Sequence, residues 1–169
     1  MTTQPDFTDF ELVPHGNRFE SFSVDQVFDH HWGRTITEAD TVKFSTDTCA
    51  WRPLYLNREY AQADGHPDIP VNPTLLLCVA VGLSVEDLSE GGGPFLGVND
   101  VEFHRPVYPG VTVTAQSVVE DTRRSASRPE SGIVTWKTTV RDAVGEIVLT
   151  YRRSNLIRSK DASRTEVAR

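Results

Sequence analysis

The sequence predicts an α+β fold, a single domain in which an antiparallel sheet wraps around one central helix. Three observations predict it. The run PTLLLCVAVGL, Pro73 to Leu83, is apolar nearly all round, the pattern of a helix enclosed on every side. From Phe95 onward the pattern changes to alternating, β-branched stretches divided by the turns YPG and AVG and the polar loop RRSASRPESG, which reads as strands. The length, 169 residues, suits one domain rather than two.

Each element has its own signal. Residues 1–18 carry two prolines and little periodicity and read as an extended arm ahead of the domain, which is expected over 19–158. Thr37 followed three residues later by Asp40 forms a capping box, so a helix is expected from Glu38 to about Cys49, with Ala39, Val42, Phe44 and Thr48 on its inner side. Pro53 ends that segment in an extended loop. Asn57 caps a second short helix, REYAQADG, closed by Gly65. Asn72 and Pro73 start the central helix, one as a capping side chain and the other as a ring where no amide donor is needed. Three long consecutive strands then imply a meander. The tail SKDASRTEVAR, 159–169, reads as polar and disordered.

Composition removes several function classes. A formal net charge of -7 argues against nucleic-acid binding, which needs clustered cations. Local clusters remain: Arg123, Arg124 and Arg128 in one loop, and Arg152, Arg153, Arg158 and Lys160 near the C-terminus. Such arginines can hold a phosphate bidentately, although charge runs are more often solvated surface. The apolar run at Pro73 is too short for a bilayer, which takes about 20 residues. The chain opens with no basic stretch and apolar core of the secretory kind, so a cytoplasmic protein is expected. Cys49 and Cys78 lack metal-ligand spacing and read as two buried thiols, and no metal site is expected. His30 and His31 lack partner spacing and read as surface residues.

The segments GRTITEAD, RPLYLNREYA, VNPTLLL, LGVNDVEFHRPVYPG and SGIVTWKTTVRDAVGE resemble the MaoC-like dehydratase family, in particular its mesaconyl-CoA and methylmalyl-CoA hydratase branch. The resemblance covers about residues 20 to 158. It implies a hot-dog fold, a homodimer, and acyl thioesters of coenzyme A or of an acyl carrier protein as substrates, with no cofactor beyond that carrier. It also implies reversible addition of water to an enoyl thioester, with a carboxylate and a histidine activating the water. A backbone amide at the start of the central helix would bind the thioester oxygen as charge develops on it.

The chain departs from the family's D-x-N-P-x-H pattern. Ala50 stands at the acid, Arg52 at the Asn and Tyr55 at the histidine. Asp47, almost one helical turn upstream of Ala50, is the available carboxylate. Pro73 replaces a glycine whose amide commonly donates, leaving the Thr74 amide as the substitute, and Asn72 takes the approximate place of a histidine. Tyr55 can donate to a thioester carbonyl or enolate without changing protonation state, so its expected role is orientation or oxyanion support. His104, in EFHRPV, is a further catalytic candidate. Trp51 is assigned to the acyl pocket and Arg52 to a substrate carboxylate. Asn99, Arg123 and Arg124 are further substrate-binding candidates.

Three functions follow. The leading one is conjugate addition to, or elimination from, an α,β-unsaturated acyl thioester. Loss of the water-activating pair leaves open an amine nucleophile such as glycine, which brings its own basicity. The second is a hot-dog thioesterase using Asp47 or Asn72. The third is a noncatalytic acyl-binding or partner subunit.

Overall fold

The computed structural model describes residues 15–162. Most of the expected arm and the last seven residues of the expected tail therefore lie outside the described residues.

Two short strands, β1 (Val27–Asp29) and β2 (Arg34–Thr35), precede four long ones: β3 (Phe95–Phe103), β4 (Thr112–Arg124), β5 (Ser131–Asp142) and β6 (Ile147–Arg158). The sheet runs β1-β4-β5-β6-β3, with β2 also on β4, and every pairing is antiparallel. The β4-β5-β6 meander is the one the alternation predicts. β3 does not pair with β4, its neighbour in sequence. It lies against β6 and forms an edge of the sheet.

Alternation places Val113, Ala115 and Val119 of β4, and Val134, Trp136 and Val140 of β5, on one buried face. Helix α3 (Pro73–Leu83) lies on that face, packing Leu75, Leu76, Val79 and Ala80 against Val113, Ala115, Val140, Leu149 and Tyr151. Each buried leucine there contributes about 2 kcal/mol. A second cluster, Phe22, Leu88, Val119, Val134, Trp136 and Ile157, fills the other end of the face. Phe19 lies so close over Gly132 that a Cβ at residue 132 would stand 2.1 Å from its ring, so only glycine fits that position.

The short helices are capped as expected. In α1 (Glu38–Asp47) the Asp40 amide donates to Thr37 Oγ1 at 3.2 Å, and the Thr37 amide donates to Asp40 Oδ2 at 2.9 Å. The Thr37 bonds, with Arg34 alongside, hold the Asp40 carboxyl below its usual range. In α2 (Arg58–Ala63) the Tyr60 amide donates to Asn57 Oδ1, and Gly65 takes a left-handed φ of 90°.

Other expectations are corrected. Helix α3 is not enclosed within one chain: Thr74, Cys78 and Gly82, spaced one turn apart, form an uncovered stripe. Both cysteines are accordingly exposed, Cys78 on that stripe and Cys49 in the turn after α1. Helix α1 ends at Asp47, and its buried residues are Thr41 and Ser45, with Val42 and Phe44 half-buried and Ala39 and Thr48 exposed. Small side chains face inward because the buried Asn72 sits there, its Nδ2 donating to Ser45 Oγ at 3.4 Å. Arg123 and Arg124 lie in β4, which stays paired as far as Arg124 opposite Gly132. Ser159 is buried, its amide donating to Glu130 O at 2.9 Å, so the chain is still anchored where the tail was expected to begin.

The largest correction is a polar interior. His30 is buried. Its Nδ1 donates to Asp87 Oδ2 at 2.6 Å, and its Nε2 meets Ser117 Oγ at 2.8 Å, which in turn bonds Thr138 Oγ1 at 2.8 Å. Asp87 belongs to α4 (Val85–Leu88), the short helix that follows α3. Arg153, expected on a basic surface, is 1% exposed and lies 5.4 Å over the Trp136 ring. It donates to Ser84 Oγ at 3.1 Å and Ser89 Oγ at 3.2 Å, where the carbonyl end of α3 favours a cation. Burial pulls its guanidinium below the ordinary arginine range, and burial raises the neighbouring Tyr151 hydroxyl.

Candidate functional site

Helix α1 stops through its own carbonyls. Cys49 turns left-handed at φ 58°, and the Ala50 amide donates back to Ser45 O at 2.8 Å, a Schellman closure usually given to glycine. The chain then makes a 3-10 turn, Pro53–Tyr55, which presents Leu54 and Tyr55 to a cleft at the N-terminal end of α3.

That cleft has a volume of about 330 Å³. Its apolar wall comes from Leu54, Val71, Leu76, Phe103, Pro106 and Val107, and its polar groups are Tyr55, His66, His104 and Arg105. Among the described residues no Asp or Glu side chain lines it. His104 Nε2 pairs with Thr150 Oγ1 at 3.1 Å, and His66 Nδ1 pairs with Tyr108 OH at 3.1 Å. Arg105 Nη2 donates to Asp142 Oδ2. Burial pushes the Asp142 carboxyl up, but the Glu146 and Val144 amides and the Arg105 cation outweigh it and leave it below the usual range.

The structure therefore brings Tyr55 and His104 together, two of the four catalytic candidates. The other two are committed elsewhere. Asp47 lies on the solvent side of α1 in an ion pair with Lys43 at 2.6 Å, because the two are one turn apart. Asn72 uses its Oδ1 to accept from the Thr74 amide at 3.0 Å and its Nδ2 on Ser45. That bond also occupies the Thr74 amide, the expected oxyanion donor. Trp51, 68% exposed, and Arg52 flank the loop but do not line the cleft. Asn99 is exposed on β3 opposite Arg152. Arg123 and Arg124 lie at the other end of the sheet from Phe103, and Arg124 is a clasp, bonded to Glu20 at 3.0 Å and stacked 4.7 Å over Phe19. Sequence reasoning missed His66 and Arg105. His66 reaches the cleft only because its loop folds back, its amide donating to Ala61 O, and no regular spacing announces that.

The family model described as mesaconyl-CoA hydratase matches residues 7–169. This chain belongs to the mesaconyl-CoA hydratase family. It is 40% identical over 152 residues to a mesaconyl-CoA hydratase of Haloarcula hispanica, a match that covers 89% of this chain and 42% of that protein. A MaoC domain protein dehydratase from Chloroflexus aurantiacus superposes with a TM-score of 0.82 at 27% identity, over 90% of this chain and 43% of the other. A Mycobacterium tuberculosis protein described as having a double hot-dog fold gives 0.77 at 23% identity, over 87% and 46%. The fold is a hot dog, as the resemblance implied. The chain spans less than half the length of each of these three proteins.

Proposed function

We propose that this chain is the acyl-binding half of a two-hot-dog assembly that hydrates a mesaconyl-type acyl-CoA or, in reverse, dehydrates the hydroxyacyl-CoA. The observation that carries this reading is the loop from Ala50 to Tyr55. It opens onto an apolar cleft of the right size for a short acyl chain, yet holds neither the acid nor the histidine of the family pattern. Relatives more than twice as long support a second hot-dog unit as the source of the water-activating pair. The uncovered stripe of α3 and the edge of β3, with Phe95, Leu96, Val101 and Phe103 exposed, are the faces such a unit would cover. A second copy of the chain repeats the Ala50–Tyr55 loop and brings no such pair, so the expected unit is a different hot-dog chain.

In the cleft, Tyr55 is placed to donate to the thioester oxygen, and Phe103, Val71 and Leu76 exclude water from the acyl chain. The Haloarcula hispanica relative is described as a hydratase and the Chloroflexus aurantiacus one as a dehydratase. Amine addition and thioester hydrolysis have no support among them, nor does a carrier protein in place of coenzyme A.

The test is to titrate the purified chain with mesaconyl-CoA calorimetrically and to follow hydration by product mass, with the assembly state read by light scattering. Saturable binding without hydration by this chain alone is the expected result. Hydration by a homodimer would overturn the division of labour, and absence of any acyl-CoA binding would overturn the reading as a whole.

A further inference from the structure

The cleft is apolar along its wall and cationic at its rim, an arrangement that suits an acyl chain ending in an anion better than a plain hydrocarbon chain. Among the described residues, Arg105 is the only Lys or Arg side chain lining it. One of its donors, Nη2, is held by Asp142, which fixes the guanidinium plane, while Nη1 and Nε make no hydrogen bond among the described residues. An arginine offers five donors in a rigid fork, so a guanidinium anchored through one of them can still meet a carboxylate with two. His66 adds a second donor position: Tyr108 engages Nδ1, and Nε2 has no partner among the described residues.

The rival cations are less suited. Arg34 lines the groove of about 370 Å³ beside Trp32 and the α3 stripe, but it is paired with Asp40 and shares that groove with Glu86. Arg152 is bound between Glu120 and Asp100, and Arg153 is sealed in the core. Arg128 and Arg158 line a cleft of about 150 Å³ that also contains Glu130.

Resting on the function proposed above, we infer that Arg105, with His66 Nε2 as a second donor, binds the free carboxylate of a dicarboxylic acyl thioester and makes the cleft selective for it over an uncharged acyl chain. Arg105 is thus a specificity residue. Asp142 is the group that positions it.

The experiment compares binding of mesaconyl-CoA with binding of crotonyl-CoA, an enoyl thioester without the second carboxylate, to the wild-type chain and its variants. The wild type is expected to prefer mesaconyl-CoA. Arg105→Gln should lower that preference by roughly 30-fold, the scale of a lost charge-assisted bidentate contact, and Arg105→Lys should restore part of it. His66→Gln should lower the preference by roughly 5-fold, the loss of one neutral hydrogen bond. Asp142→Asn leaves the cation in place but loosens its guanidinium plane, so it should lower the preference less than Arg105→Gln does. Unfolding in urea, followed on the same variants, separates recognition from folding: a preference lost in Arg105→Gln at near wild-type stability supports the assignment, whereas a loss that only accompanies a fall in stability makes the pair a structural tie and overturns it. Equal binding of the two thioesters by the wild type, or a preference that survives Arg105→Gln, also overturns the role of Arg105 and leaves the acyl-binding function standing. Binding of neither thioester by the wild type removes both.

Discussion

The two ends of the central helix are built on opposite principles. At the N-terminal end of α3, Tyr55 and His66, half-buried, and His104 and Arg105, exposed, stand around a cleft, and several of their donors have no partner among the described residues. At the C-terminal end, two bonded groups, Asp87 with His30, Ser117 and Thr138, and Arg153 with Ser84 and Ser89, are mostly buried. Polar groups with spare capacity beside solvent are available to a ligand. Polar groups of similar chemistry tied together inside the core hold the sheet, α3 and α4 in one arrangement. On the proposed function, the fold separates binding from cohesion along a single helix.

That separation can be broken most severely at Arg153. Arg153→Ala should lower unfolding free energy by about 3 to 4 kcal/mol in urea titration, because it opens a cavity and strands the serine hydroxyls. Arg153→Met fills the volume without burying a charge and should cost about 1 kcal/mol or less, which distinguishes packing from pairing. His30→Ala, which removes the link between Asp87 and Ser117, should cost about 2 to 3 kcal/mol in the same measurement. Asn72→Ala should cost about 1 to 2 kcal/mol through the lost cap and its tie to α1. Tyr55→Phe should change stability by less than about 0.5 kcal/mol, yet weaken acyl-CoA binding in calorimetry by roughly 10-fold. A Tyr55→Phe chain as destabilised as Arg153→Ala would erase the distinction between the two ends.

Much of the fold was legible because its signals are local. Thr37 with Asp40, Asn57 and Asn72 with Pro73 each place a helix start without reference to the rest of the chain, and β-branched alternation places the strands. The exposure of Cys78 was not legible, since an all-apolar helix looks the same whether its last stripe is covered by its own chain or by another. The burial of Arg153 could have been read from parity: Leu149, Tyr151, Arg153 and Ile157 alternate with Thr150, Arg152 and Ser154, so a two-residue period puts Arg153 inside. Weighting charge above period concealed it. The family resemblance pointed to Tyr55 and His104, which line the cleft, whereas His66 and Arg105 share it only through a folded-back loop and the chain leaving β3. Asp47 and Thr74 do not line the cleft, and Lys43 and Asn72 are bonded to them.

The edge of β3 also bears on how the chain survives before it meets anything. An open edge with Phe95 and Leu96 exposed is a template for indiscriminate strand pairing, the first step of aggregation. Its other half is better guarded: Asp100 turns left-handed, the register slips between Asn99 and Glu102, and two acids stand on the kink. Solubility on overproduction therefore depends on the segment around Phe95 and Leu96. A charge placed at Leu96 should keep a solitary chain in solution and block the proposed coverage of that edge, so that yield and assembly would move in opposite directions at that one position.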